Sequence, residues 1–67
     1  LTRANLTDTY LNQANLSRAD LSGANLTGAD LMGADLTGSN LQGANLDRVI
    51  GADFSGARNV PHKYRKN

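Results

Sequence analysis

The chain has 67 residues, so it can form one small domain. Its aromatic content of 4%, with no tryptophan, argues against a conventional globular core, and the absence of cysteine excludes disulfide bonds and thiolate metal sites. The formal net charge of +1 combines two unlike parts. Residues 1–57 hold three arginines and six aspartates, a net charge of −3, whereas residues 58–67 hold four basic residues and no acid. No apolar stretch approaches the length of a membrane span.

Leucine recurs at every fifth residue from Leu1 to Leu46, ten times in succession. On an α-helix a step of five residues turns by about 140°, so these side chains would spiral around the surface. On a flat strand a step of five reverses the side-chain direction, so the leucines would alternate between the two faces. If the chain bends once per repeat, every leucine can point to one shared axis. The spacing therefore predicts a coil of short extended sides joined by bends.

The residues around each leucine agree with this interpretation. In an extended side the residue two before the leucine also points inward. At those positions the chain has only Ala, Thr or Ser, and a narrow interior requires such small side chains. The residue just before the leucine should face water, and at eight of nine such positions it is Asn or Asp, the exception being Tyr10. The predicted core consists of Leu6, Leu11, Leu16, Leu21, Leu26, Leu31, Leu36, Leu41, Leu46 and Phe54.

This pattern resembles the A(D/N)LXX motif of the pentapeptide repeat family. The resemblance runs without interruption over residues 1–48 and returns in "ADFSG" at residues 52–56. It implies an all-β fold, a right-handed quadrilateral parallel β-helix in which four repeats form one coil and successive coils pair about 4.8 Å apart. About three coils fit into residues 1–57, which we predict to be the solenoid domain.

The five-residue phase breaks at residues 49–51, within "DRVIGADFSG". We interpret Val49, Ile50 and Gly51 as a three-residue bulge at a corner, because "ADFSG" then remains a complete side. The alternative is that one side has lost two residues. Beyond it, Asn59 stands where a core residue is expected and Pro61 cannot donate to a backbone ladder. The solenoid is therefore predicted to end at residue 57, with a basic tail over residues 58–67.

Candidate binding surfaces must lie on the outside or at the ends, because leucine and alanine fill the interior. Tyr10, Met32 and Ile50 are the main apolar residues at outward positions, and the register places them on one side, as a candidate partner patch. Alternatively, Ile50 folds inward and Tyr10 is an isolated surface aromatic. Asn5, Asn25 and Asn45 form another column, whose stacked amides are expected to strengthen the ladder.

The tail contains candidate contacts to anions, which are Arg58, Lys63, Arg65 and Lys66. A tail of this composition is more often a solvated end, or a strap that docks on a neighbour, than an anion-binding segment. At the other end the chain opens on an in-phase core leucine without a capping segment. We therefore expect that a preceding stretch of chain or another subunit covers that end.

Catalysis has little support in the sequence, because the single histidine, His62, lies in the tail and there is no Glu or Cys. No local carboxylate cluster favours calcium, and we predict no metal, no other cofactor and no small-molecule substrate. The leading hypothesis is a non-enzymatic structural and protein-interaction module, a rigid block that docks within a larger chain or complex. Its partner would be another protein or a second copy stacked end to end.

Two alternatives remain for the function. Some members of the family resemble duplex DNA and bind DNA gyrase, giving quinolone resistance. Such mimicry needs a long acidic rod, and here a net charge of −3 and a cationic tail oppose it. The second alternative is association with nucleic acid or a membrane through the tail. The family occurs in the cytoplasm and in the thylakoid lumen, so the resemblance leaves the compartment open.

Overall fold

The computed structural model describes residues 2–65, so Leu1 of the leucine series and the last two residues lie outside the described residues. Within residues 2–65 the one helix is a short 3-10 helix, His62–Tyr64. Isolated parallel bridges, rather than continuous strands, hold the remainder together. They join Asn5 to Asn25, Tyr10 to Asp30, Asn15 to Asp35, Asp20 to Asn40, Asn25 to Asn45, Asp30 to Ile50, and Asn40 to Arg58.

Six of the seven bridges pair residues that are twenty positions apart. Because bridging residues recur every five positions, the chain returns to the same column after four repeats. Asn25 illustrates the ladder: its N–H donates to the carbonyl of Ala4 at 2.9 Å, and its own carbonyl accepts from the N–H of Leu6 at 2.7 Å. The architecture is a β-helix-like solenoid with four columns of bridges, which confirms the coarse fold that the resemblance implied.

A tight turn follows each leucine and provides the predicted bend. In the second repeat the N–H of Thr9 donates to the carbonyl of Leu6 at 3.2 Å, and the residue between them at the third turn position, Asp8, has a φ of 58°. A positive φ at that position together with this bond is the signature of a type II turn. Glycine adopts such a φ without strain, as at Gly28, yet Arg, Gln and Asp also occupy the position in this chain.

The Asn or Asp before each leucine supports the same turn. Its side-chain oxygen accepts a hydrogen bond from the backbone N–H two residues later, as Asn25 does from Thr27 at 3.1 Å and Asp30 from Met32 at 3.0 Å. Asn and Asp are suited to this local bond because their side chains are short. The amide oxygens of the Asn5, Asn25 and Asn45 column accept these local bonds, and that of Asn45 also accepts one from the hydroxyl of Tyr64 at 3.4 Å, while the stacking of the amides stays a prediction.

The interior follows the predicted periodicity. The leucines from Leu21 to Leu46 are almost completely buried, and the small residues two positions before them in the middle of the solenoid are buried as well. Leu6 and Leu11, in the first described coil, and Phe54, in the last, pack against this core but are only half-buried. Ser39 takes the place of an alanine, and among the described residues its hydroxyl has no hydrogen-bond partner.

The break in phase is a side that has lost two residues. Asp30 pairs with Ile50 at a separation of twenty, but Asn40 pairs with Arg58 at a separation of eighteen. The cause is an early turn: Gly51, with a φ of 66°, directly follows the bridging residue Ile50, whereas for the bridging residues from Asn5 to Asn45 the positive-φ residue comes three positions after the bridge. The register thus corresponds to the alternative interpretation and contradicts the three-residue bulge.

The backbone ladder reaches one residue beyond the predicted boundary at 57. The N–H of Arg58 donates to Ser39 at 2.7 Å, and the carbonyl of Arg58 accepts from Leu41 at 2.9 Å. Asn59 does not occupy the core, and its side-chain amide donates to Asn40 at the surface at 2.9 Å. Val60 packs against the core in its place.

Candidate functional site

One side of the solenoid carries the exposed apolar side chains. Among the described residues, the large hydrophobic side chains that are exposed are Tyr10, Met32 and Ile50, at 85%, 57% and 50% of their surface. Tyr10 and Ile50 bridge the same residue, Asp30, from the coils on either side of it. We call these four residues the apolar face. The structure therefore brings the predicted patch together and places a carboxylate at its centre.

The shortened side positions Met32 beside Ile50. A Cβ atom placed on Gly51 would lie 3.1 Å from Cβ and 3.3 Å from Cε of Met32, so the methionine side chain lies over the glycine that follows Ile50. Because Gly51 has no side chain, it leaves room for this contact. The competing interpretation expected Ile50 to fold inward, but its side chain is half-exposed.

The other columns of bridges are polar. They consist of Asn5, Asn25 and Asn45, of Asn15 and Asp35, and of Asp20, Asn40 and Arg58. Tyr10 and Ile50 are thus departures from an Asn or Asp that this position otherwise carries in the regular coils. Since neither residue can supply the side-chain oxygen that supports the following turn, the local structure does not account for them.

Carboxylates on the neighbouring sides remain ionised. The pKa of Asp35 lies below its ordinary value because the Thr37 side chain, and then its backbone N–H, donate hydrogen bonds to the carboxylate. Ser55 lowers the pKa of Asp53 in the same way. The apolar face therefore borders a column in which Asp35 is fully charged at neutral pH.

The tail forms a strap across the last coil. The hydroxyl of Tyr64 accepts a hydrogen bond from the N–H of Leu46 at 3.1 Å and donates one to Oδ1 of Asp47 at 2.5 Å. In the coil before, the equivalent N–H, that of Leu26, donates to a backbone carbonyl of the next coil. Tyr64 therefore supplies with its side chain the acceptor that a further coil would otherwise provide.

The charge of Asp47 strengthens this strap. Nζ of Lys63 lies 3.2 Å from Oδ1 of Asp47 and 5.3 Å from the centre of the Tyr64 ring. The hydrogen bond from Tyr64, followed by that from Lys63, lowers the pKa of Asp47, and the same carboxylate raises the pKa of Lys63. Sequence reasoning missed this contact, although Asp47 interrupts a column that holds Thr7 and Thr27 in the earlier coils.

The predicted anion-contacting residues within residues 2–65 have different contacts, and their role stays a prediction. Arg58 belongs to the backbone ladder, Lys63 is paired with Asp47, and Nη2 of Arg65 lies 3.0 Å from Nδ1 of His62. Lys66 lies outside the described residues. Among these described residues, Lys63 is therefore the one whose charge is paired with a carboxylate.

An open concavity lies between the strap and the last coil, with a volume of about 530 Å³. Its lining is largely apolar, with Phe54, Val60 and Tyr64 as the larger side chains and with Asp53 and Arg65 as its charged groups. Across residues 2–65 we find no group of three side chains that could hold a metal ion. In the same residues no helix is long and apolar enough to cross a membrane.

Comparison with known proteins gives one family. The family model for pentapeptide repeats matches residues 1–38 and 14–58, with eight copies of the repeat. These matches include the apolar face and end at Arg58, where the backbone ladder also ends. Individual curated proteins give no significant match.

Proposed function

The chain belongs to the pentapeptide repeat family, and from this premise we propose that it is a non-enzymatic scaffold that binds a protein partner through its apolar face. The observation that carries the proposal is the arrangement of the exposed apolar residues. Tyr10, Met32 and Ile50 lie together on one side, whereas the other columns are polar. Apolar side chains that gather on one surface without a local structural role are typical of an interaction site.

We further assign the four columns of bridges to the four sides of a right-handed quadrilateral β-helix of about three coils. A register of twenty residues and a type II turn after each leucine support this geometry. Because each side is held by ladder bonds to its neighbours, the apolar face keeps its shape before a partner arrives. Binding to such a preorganised face avoids the entropy of ordering it.

The tail is a weaker candidate for the partner site than the apolar face. Lys63 and Tyr64 are used to hold the strap on Asp47, so a partner that recruited Lys63 would compete with this contact. A non-enzymatic scaffold also agrees with the surroundings of the histidine. His62, the only histidine, is exposed and contacts Arg65 rather than a nucleophile.

The test replaces Tyr10 and Ile50, the two ends of the apolar face, by asparagine, a residue that the repeat prefers at this position. Tyr10→Asn restores a side chain that can support the following turn, and Ile50→Asn changes a half-exposed side chain, so the double variant is expected to fold and to keep its unfolding midpoint. The immobilised variant and the wild-type chain are compared for capture of proteins from the cells that express them, with quantification by mass spectrometry. We expect the captured partner to be depleted at least tenfold.

A matched control changes the same repeat position on another side. Asp20→Asn also leaves the turn-supporting oxygen in place but lies outside the apolar face. It should capture the partner as the wild-type chain does. If the Tyr10→Asn and Ile50→Asn double variant has an intact fold by circular dichroism and still captures the partner fully, the apolar face is not the binding site.

A further inference from the structure

The backbone ladder sets the spacing of chemical groups along the apolar face. Tyr10, Asp30 and Ile50 occupy consecutive coils of one column. Since neighbouring parallel segments lie about 4.8 Å apart, the carboxylate is offset by about 4.8 Å from each apolar residue, and the two apolar residues are about 10 Å apart. A partner that uses the whole face must repeat this order of apolar, basic and apolar groups.

We infer that the partner segment is an amphipathic α-helix that lies along the solenoid axis, with apolar side chains at positions i and i+7 and Lys or Arg at i+3 or i+4. On a helix these positions are about 10.5 Å and about 4.5–6 Å from the first, which matches the column closely. On a strand, the next two side chains on the same face lie about 6.7 Å and about 13 Å from the first. The second would therefore lie beyond the carboxylate of Asp30, and the third beyond the far apolar residue of the column. This inference rests on the proposed function of the apolar face.

The central charge selects a basic partner. Oδ1 of Asp30 accepts the hydrogen bond from Met32, and among the described residues its second carboxylate oxygen has no hydrogen bond, so it can accept one from a cation. Asp35 follows in the adjacent column, so a partner with acidic residues at the same height would be repelled from both carboxylates. Complementary charge of this kind determines which partners are admitted and how they are oriented.

Met32 widens the apolar contact at the Ile50 end. Its side chain lies over Gly51, the residue that follows Ile50, and both Met32 and Ile50 are exposed, so we expect the apolar residue of the helix at this end to meet two side chains rather than one. Methionine is unbranched and flexible, and it adapts to side chains of different shape. We therefore expect the helix to tolerate Leu, Ile, Met or Phe at that position but to require a cation between its two apolar residues.

The probe is a designed alanine-based helical peptide with leucine at positions i and i+7 and lysine at i+4. It is titrated into the isotope-labelled 67-residue chain, and backbone amide shifts are followed by NMR. We expect weak binding, in keeping with so small a face, with the shifts concentrated at Tyr10, Asp30, Met32 and Ile50. A peptide of the same composition with its leucines at i and i+5, which fall on different sides of a helix, should not bind.

A double-mutant cycle tests the central charge pair. Asp30→Asn keeps the oxygen that accepts from Met32 and removes only the charge, so the fold is preserved. It should weaken binding of the lysine peptide about two- to fivefold, as expected for a partly exposed ion pair, and should leave binding of a glutamine-substituted peptide unchanged. Asp20→Asn, on another side, should affect neither peptide.

The outcomes separate the inference from the function on which it rests. If the i, i+7 peptide binds no better than the i, i+5 peptide, or shifts residues outside the apolar face, the inference is overturned. Loss of natural partner capture in the Tyr10→Asn and Ile50→Asn double variant would, in that case, still support the proposed function. If the peptide binds the face but the double variant captures its partner normally, the proposed function falls instead.

Discussion

In the regular coils, residues 2–48, the same turn bond follows each leucine from Leu6 to Leu46, whereas the closing segment, residues 49–65, has contacts that occur once. Asn25 and Asp30 support their turns in the same way as the other Asn and Asp bridging residues of the regular coils, and Tyr10 is the exception. In the closing segment one hydroxyl, that of Tyr64, satisfies the N–H of Leu46, and one glycine, Gly51, shortens a side. Repetition therefore makes single residues of the regular coils replaceable, while the closing segment depends on particular side chains.

The largest expected effect is a difference in stability between variants at two glycines of similar φ. Gly51 and Gly43 have φ values of 66° and 70°, so alanine at either position is strained by about 1 kcal/mol. At Gly51 the new Cβ would also lie 3.2 Å from Cα of Met32, whereas at Gly43 the nearest atom is 3.9 Å away. With overpacking added, we expect Gly51→Ala to lower the free energy of unfolding by about 2–3 kcal/mol and Gly43→Ala by about 1 kcal/mol.

Urea denaturation followed by circular dichroism measures both glycine variants. Equal losses would mean that the early turn has room to relax and that Gly51 is only one more corner residue. Met32→Ala in the Gly51→Ala background provides the companion measurement. It should not restore the stability, because the two nearest atoms, Cβ and Cα of Met32, are also present in alanine.

The next effect contrasts the two tyrosines. Tyr64→Phe keeps the ring on the core but leaves the N–H of Leu46 without its acceptor and removes one of the two donors to the Asp47 carboxylate, so we expect a loss of about 1–2 kcal/mol. Tyr10→Phe, at a residue that is 85% exposed, should change stability very little. Hydrogen exchange of the Leu46 amide should accelerate in the Tyr64 variant more than that of Leu26. Uniform acceleration at both amides would contradict a local role for the hydroxyl.

The third effect has the opposite sign and lies in the regular coils. Ser39 is fully buried, and its hydroxyl has no hydrogen-bond partner among the described residues. Ser39→Ala restores the residue that Ala19 and Ala44 represent in neighbouring repeats and should raise the free energy of unfolding by about 1 kcal/mol. A loss of stability in thermal unfolding would show that the hydroxyl is paired in solution.

The smallest effect is the pH dependence of the strap. The pKa of Asp47 is lowered in the folded chain, first by Tyr64 and then by Lys63. A carboxylate with a lowered folded-state pKa stabilises the fold above its ordinary value of 3.8, and this contribution is lost as the pH falls through the folded-state pKa. Acid titration of the Tyr64→Phe variant should therefore show a shallower loss of stability below pH 4 than the wild-type chain. An identical slope would exclude the Tyr64 bond as its origin.

The periodicity of the sequence was sufficient for the regular coils because each inference rests on a local rule. Five-residue spacing requires a bend per repeat, and the parity of an extended side requires the small residues to face inward, as Ala24 and Ala29 do. The four repeats per coil that the family resemblance implies add the register of twenty, which places Tyr10 and Ile50 on one side. These conclusions needed no knowledge of contacts between distant residues.

The closing segment could not be derived in this way. Nothing local distinguishes a side that loses two residues from a corner that gains three, because the difference is visible only in which coil Ile50 and Arg58 pair with. The contact of Tyr64 with Leu46 and Asp47 joins residues about a coil apart, through a tail that has no repeat of its own.

The sequence by itself thus determined the repeat, the inward and outward sets of side chains and the side on which the apolar residues gather. Only the tertiary structure decided the register beyond residue 50, the docking of the strap and the contact of Met32 with the shortened side. The reason is physical. A periodic pattern specifies the direction in which each side chain points, whereas the end of a solenoid is stabilised by individual contacts, and these depend on the distances between coils.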